Sequence, residues 1–69
     1  MRDRLLFATV GRAVYEYWEG ATTGRWYWHR RVGSDITESG SYASRRSTRR
    51  KLHQVVDEER ARRRRVRST

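Results

Sequence analysis

The stretch AVYEYWEGATTGRWYWHRRV, residues 13–32, decides the fold. Ala13 to Trp18 is aromatic and β-branched with a partly polar alternation, which is the composition of a half-buried strand. EGATTG, residues 19–24, is turn chemistry carrying Gly20 and Gly24. Arg25 to Val32 resumes the strand composition, and so short a connection predicts an antiparallel hairpin. Working outward, Gly33-Ser34-Asp35 predicts a second turn and Ile36 to Ser39 a short third strand, which Gly40-Ser41 ends. On the other side, Leu5, Leu6, Phe7 and Val10 fit either a helical turn or an extension of the first strand, and Phe, Thr and Val favour the strand, so residues 1–12 are read as an N-terminal segment that extends the first strand.

From Ser44 to the last residue there is no Gly or Pro, and the pattern turns helical. The Ser44 hydroxyl can accept from a first-turn N–H that otherwise lacks a partner, which makes it the expected N-cap. Thr48, Leu52, Val55 and Val56 then recur at helical spacing as one narrow apolar stripe. The stripe is expected to stop at Val56. Asp57, Glu58 and Glu59 follow, and the pairs Glu58 with Arg62 and Glu59 with Arg63 sit at i, i+4 in the favourable order. The expected fold is α+β: a three-stranded antiparallel sheet followed by one C-terminal helix packed on one face (β-β-β-α). The domain proper spans 13–56, with 57–69 as a basic helical extension or frayed tail.

Sixty-nine residues make one small domain, and only 35% of them are hydrophobic. Eight Trp, Tyr and Phe residues compensate, because each ring buries a large area. Without cysteine there is neither a disulfide framework nor a thiolate metal site, and a reducing, cytoplasmic setting is the default (host cytoplasm, for a phage-encoded chain). No apolar run is long enough to span a membrane. The net charge of +9 is uneven: residues 1–43 hold six Arg against five acids, whereas 44–69 hold eleven Lys and Arg against three. Such a basic pole attracts polyanions, nucleic acid first and then an acidic protein face.

YEYW at 15–18, GRWYW at 24–28 and ITESGSYASRRSTRRKLHQVV at 36–56 resemble the YegP-like family of small bacterial and archaeal proteins. The likeness covers about residues 13–56 and is strongest at the strand-to-helix joint. Two departures stand out: Gly33-Ser34 replaces the Asn-Gly usual in the second turn, and the Arg-rich segment after Val56 lies outside the family pattern. The resemblance implies a β-β-β-α unit that pairs, as two repeats in one chain or as a homodimer, and it implies no activity. There is a looser architectural likeness to plant-type AP2 DNA-binding domains, which also set a three-stranded sheet against one helix.

Strand alternation sorts the side chains. Ala13, Tyr15, Tyr17, Trp26, Trp28 and Ile36 form one face, expected to pack under Leu52, Val55 and Val56. Val14, Glu16, Trp18, Arg25, Tyr27, His29, Arg31 and Thr37 form the other, which is basic and aromatic. So thin a core, with edge strands to cover, makes a homodimer the expected state.

The leading functional expectation is nucleic-acid binding. Arg46, Arg50, Arg60 and Arg64 fall on the helix face opposite the apolar stripe, with Arg49, Arg62, Arg63 and Arg65 beside them, and these can neutralise phosphates. On the sheet, Tyr27 and Trp18 can stack on bases while Arg25 and Arg31 hold phosphates near His29, the platform of single-strand binders. The alternative is a protein-interaction module, a phage or accessory protein docking on a host factor through the aromatic face, since Arg, Trp and Tyr dominate interface hot spots. No catalytic role is expected. Metal-ligand spacing, a Gly-rich phosphate loop and supported nucleophile–base logic are all missing from the sequence, so no cofactor or metal is expected either.

Overall fold

The computed structural model describes residues 4–67. Four strands, β1 (Leu5–Val10), β2 (Ala13–Glu19), β3 (Trp26–Val32) and β4 (Asp35–Tyr42), form one antiparallel sheet in the order β1-β2-β3-β4, and helix α1 (Arg45–Arg67) follows. The architecture is the α+β arrangement of a sheet and one C-terminal helix, but with four strands where three are expected. The correction comes from residues 1–12: LLFATV does not extend the next strand, because the chain reverses at Gly11-Arg12 and pairs Val10 with Ala13. Gly11 has φ 59°, while no residue other than glycine has a positive φ among the described residues. A positive φ at the first loop position alone is the type II′ hairpin turn, whose twist matches that of the flanking strands. Gly33-Ser34 repeats the device between Val32 and Asp35, with Gly33 at φ 63°.

The third predicted strand also grows, running through Gly40-Ser41 to Tyr42. Gly40 belongs there because it lies opposite Trp28, and a Cβ at Gly40 would come within 2.6 Å of the Trp28 indole nitrogen. The ring takes the space that the missing side chain leaves.

Helix α1 packs on all four strands. Ser44 caps it as expected, its hydroxyl accepting from the Ser47 N–H at 3.1 Å. The buried core joins Val10, Ala13, Tyr15, Tyr17 and Trp28 of the sheet to Leu52 and Val56 of the helix, with Phe7, Ala8, Trp26, Val32, Tyr42 and Val55 packed around it. Ile36 is the exception to the expected core: it is 53% exposed. A one-residue bulge explains this. Arg30 pairs with Glu38 but Arg31 pairs with Ile36, so Thr37 is the extra residue and Ile36 is carried to the open side. A second bulge in β1, between Leu6 and Ala8, puts Phe7 and Ala8 together against the core.

The apolar stripe of the helix also runs further than Val56. Glu59 is only 6% exposed and continues it, so the helix stays seated on the sheet for another turn. Its carboxylate does not pair with Arg63 as the i, i+4 spacing suggested: Arg30 takes it in a bidentate grip, Nε to Oε1 at 2.9 Å and Nη2 to Oε2 at 3.0 Å. Arg63 instead lies over the first turn, its guanidinium against Gly11. Glu58 takes part in none of the ion pairs among the described residues. Ser68 and Thr69, the end of the predicted tail, lie outside the described residues. Among those described, no helix is long and apolar enough to cross a membrane.

Candidate functional site

The two layers leave two outward surfaces, one on each side of the molecule. On the helix side, Arg45, Arg46, Arg49, Arg50 and His53 line an open depression of about 580 Å³ between their side chains. Arg46 and Arg50 point outward. Arg49 and Arg45 form the inner rim, where they rest on the sheet: Arg49 donates to the Tyr17 hydroxyl at 2.7 Å and covers the Phe7 ring at 5.5 Å, and Arg45 lies 5.9 Å from the centre of the Trp26 ring. Burial pushes the Tyr17 hydroxyl up, but hydrogen bonds from Arg45 and Arg49 outweigh it and hold the group below its ordinary value. His53 meets Phe7 edge-on at 4.9 Å. Further along, Arg60, Arg62, Arg64 and Arg65 are exposed, as is Arg63 beside its turn.

On the sheet side, a shallow cleft of about 440 Å³ is lined by Arg4, Trp18, Tyr27, His29, Ile36 and Ser39 among others. Here the predicted residues are tied to one another. Tyr27 stacks against Trp18 at 6.1 Å, and its hydroxyl shares a hydrogen bond with Thr23. His29 is 3% exposed, set edge-on to Trp18 at 4.9 Å and bonded through Nε2 to Glu16 at 2.8 Å. Arg31 donates to the same Glu16 oxygen at 2.9 Å and to the Gly33 carbonyl at 3.1 Å. The hydrogen bond from Arg31 is the main reason the Glu16 carboxyl sits below its usual range. Arg25, at the end of the sheet, reaches the Ser41 hydroxyl at 3.3 Å. Arg4 covers Trp18 at 5.0 Å.

Between the surfaces lies a polar cluster that sequence reasoning missed: Tyr15, Arg30 and Glu59. Tyr15 donates to Glu59 beneath the Arg30 guanidinium. Burial first, and then the neighbouring Glu59 carboxylate, push the Tyr15 hydroxyl up to about 12. The Glu59 carboxyl is held low by the hydrogen bonds from Arg30. Two signals pointed to it. Arg30 keeps the phase of Trp26 and Trp28, and Glu59 keeps that of Leu52, Val55 and Val56. Its role is to pin helix to sheet, since a buried carboxylate is tolerated only with its charge paired and its oxygens bonded.

Fold and surfaces together define a class: a small α+β domain with a four-stranded meander, one long helix, and a cationic surface concentrated on that helix. Compared with protein-family models, curated proteins and solved structures, the chain matches none.

Proposed function

We propose that the chain is a nucleic-acid-binding module that offers the outer face of α1 to phosphates. The observation that carries this reading is the distribution of unneutralised charge. Among the described residues the ion pairs are His29 and Arg31 with Glu16, and Arg30 with Glu59, so that none falls on Arg46, Arg50, Arg60 or Arg64. Exposed guanidinium groups that no carboxylate pairs keep their attraction for a polyanion and suit bidentate phosphate contact. In this reading the sheet residues Arg25, Tyr27, His29 and Arg31 stand back from the ligand, because their polar groups are already engaged. The module acts in the cytoplasm. The test is a mobility shift with mixed single- and double-stranded nucleic acid at about 50 and 200 mM salt: a shift that weakens steeply with salt supports the reading, and none at the lower salt refutes it.

A second reading, docking on another protein through the sheet, is favoured by one observation. Leu6 and Ile36, 64% and 53% exposed, lie on that open side with the Trp18–Tyr27 stack. Such an interface would change little with salt. β1 and β4 end the sheet and each has one free edge, which supports a homodimer paired along an edge; light scattering at micromolar concentration decides that point.

A further inference from the structure

We infer that α1 lies across the major groove of double-stranded DNA and holds its two phosphate backbones, one with Arg46 and Arg50, the other with Arg60 and Arg64. This rests on the nucleic-acid reading above and adds which nucleic acid and in what pose. Arg46, Arg50, His53, Asp57, Arg60 and Arg64 recur at spacings of four, three, four, three and four, and all six are exposed, so they form one stripe along the outside of the helix. The order of charge along it is two cations, a histidine, an acid and two cations. Glu58, also exposed, deepens the negative gap.

A single strand laid along this stripe would bring phosphate against Asp57. It would also find no rings to stack on: single-strand binders combine a continuous cationic track with aromatic side chains, and here every Trp, Tyr and Phe belongs to the sheet or the N-terminal strands. A duplex met crosswise has neither problem. At 1.5 Å rise per residue Arg50 and Arg60 are about 15 Å apart along the axis and Arg46 and Arg64 about 27 Å. The major groove of B-form DNA is about 12 Å wide, so the inner cations bracket it and Asp57 sits over the opening, away from both backbones. The minor groove, about 6 Å wide, is too narrow for that bracket, and the A-form major groove of duplex RNA is narrower still at its mouth. Contacts confined to phosphate carry no base sequence, so binding is sequence-independent.

Fluorescence anisotropy with a labelled 16-base-pair DNA duplex, one of its strands, and the RNA duplex of the same sequence tests the pose. The DNA duplex is expected to bind at least tenfold more tightly than either competitor. Four phosphate contacts predict a log–log salt slope of about −3.6, or about a 150-fold loss between 50 and 200 mM. Arg46→Gln with Arg50→Gln, and Arg60→Gln with Arg64→Gln, are each expected to halve that slope while circular dichroism confirms the fold. Asp57→Arg separates the poses: across the groove the slope stays as it was, whereas along one backbone it steepens by about 0.7 to 0.9. Equal or tighter binding of the single strand, or a steeper slope for Asp57→Arg, overturns the crosswise pose and leaves nucleic-acid binding standing. Failure to bind any of the three probes overturns both.

Discussion

The open face of the sheet and the outer face of the helix carry the same residue type, arginine, and treat it in opposite ways. On the sheet, Glu16 sits opposite His29 and diagonal to Arg31, so one carboxylate reaches both. Neighbouring strands bring directly opposed side chains to roughly 5 Å, which lets one acid neutralise two bases. The helix face has no neighbouring element to supply acids, and Arg46 and Arg50 stand at i, i+4 from each other, as do Arg60 and Arg64. Like charges at that spacing cost about 0.2–0.5 kcal/mol per pair. The helix therefore keeps a repulsion that a bound polyanion would relieve, while the sheet keeps none. The same residue type gives unequal surfaces because topology decides who meets whom.

The largest effect should come from breaking the seam that joins the two regions. Glu59→Ala leaves Arg30 and Tyr15 without their acceptor, and is expected to cost about 3 kcal/mol in urea denaturation, at the low end for a buried ion pair because Arg30 is partly solvated. The same cluster sets the pH range of stability. Glu59 and Glu16 have lowered carboxyl values in the fold, so their contribution is complete above the ordinary carboxylate range and is lost as pH falls through and below it. Tyr15 is raised to about 12, so its contribution is complete below about pH 10 and is lost as pH rises from 10 towards 12. Tyr15→Phe should remove the loss on the alkaline side, where the lowered Tyr17 hydroxyl acts in the opposite sense. An alkaline limb that survives in Tyr15→Phe would assign it elsewhere.

Gly40→Ala comes next. Its Cβ would press on the Trp28 indole at 2.6 Å, a ring that is 3% exposed and closed in by the helix, so a loss of about 1–3 kcal/mol is expected together with a shift in tryptophan emission. This variant also marks where the sequence was legible and where it was not. The central hairpin, the Ser44 cap and the Tyr15, Tyr17, Trp28, Leu52 and Val56 core follow from periodicity, because there the periods of two and 3.6 run unbroken. Periodicity misleads wherever a bulge intervenes. In β1 the bulge places Phe7 beside Ala8 on one face, so LLFATV shows no alternation and does not read as a strand of its own. In β4 the bulge at Thr37 turns Ile36 outward, although Ile36 has the phase and the chemistry of a core residue. Gly40-Ser41 reads as a breaker because nothing local says that a tryptophan two strands' length away in sequence needs the gap.

Legibility of the surfaces differs in the same way. The helix stripe depends only on 3.6-residue spacing, and its four arginines lie where spacing puts them. The fate of Arg30 and Glu59 depends on a contact between residues 29 positions apart, and no local pattern contains it. Arg31→Gln tests the weaker, solvent-facing counterpart of that pair. Glu16 keeps His29 and the Arg31 guanidinium is open to solvent, so the loss in urea denaturation should be well below that of Glu59→Ala.

The smallest expected effect is the one that divides the two faces most sharply. Trp18→Ala and Tyr27→Ala each remove one ring of the open-face stack without touching α1. If phosphates are met by the helix alone, DNA affinity in either variant should stay within about twofold of the parent, because the two surfaces lie on opposite sides of the domain and no charge on the helix changes. If bases stack on the sheet instead, each ring should be worth about 1–3 kcal/mol, or roughly 5- to 150-fold in affinity. The two outcomes do not overlap. A large loss in the ring variants with an unchanged salt slope would move the interface to the sheet, where Arg25 and Arg31 would first have to leave Ser41 and Glu16 to reach phosphate. That rearrangement has a cost the helix face does not incur, and this difference in readiness is the physical reason for placing the ligand on α1.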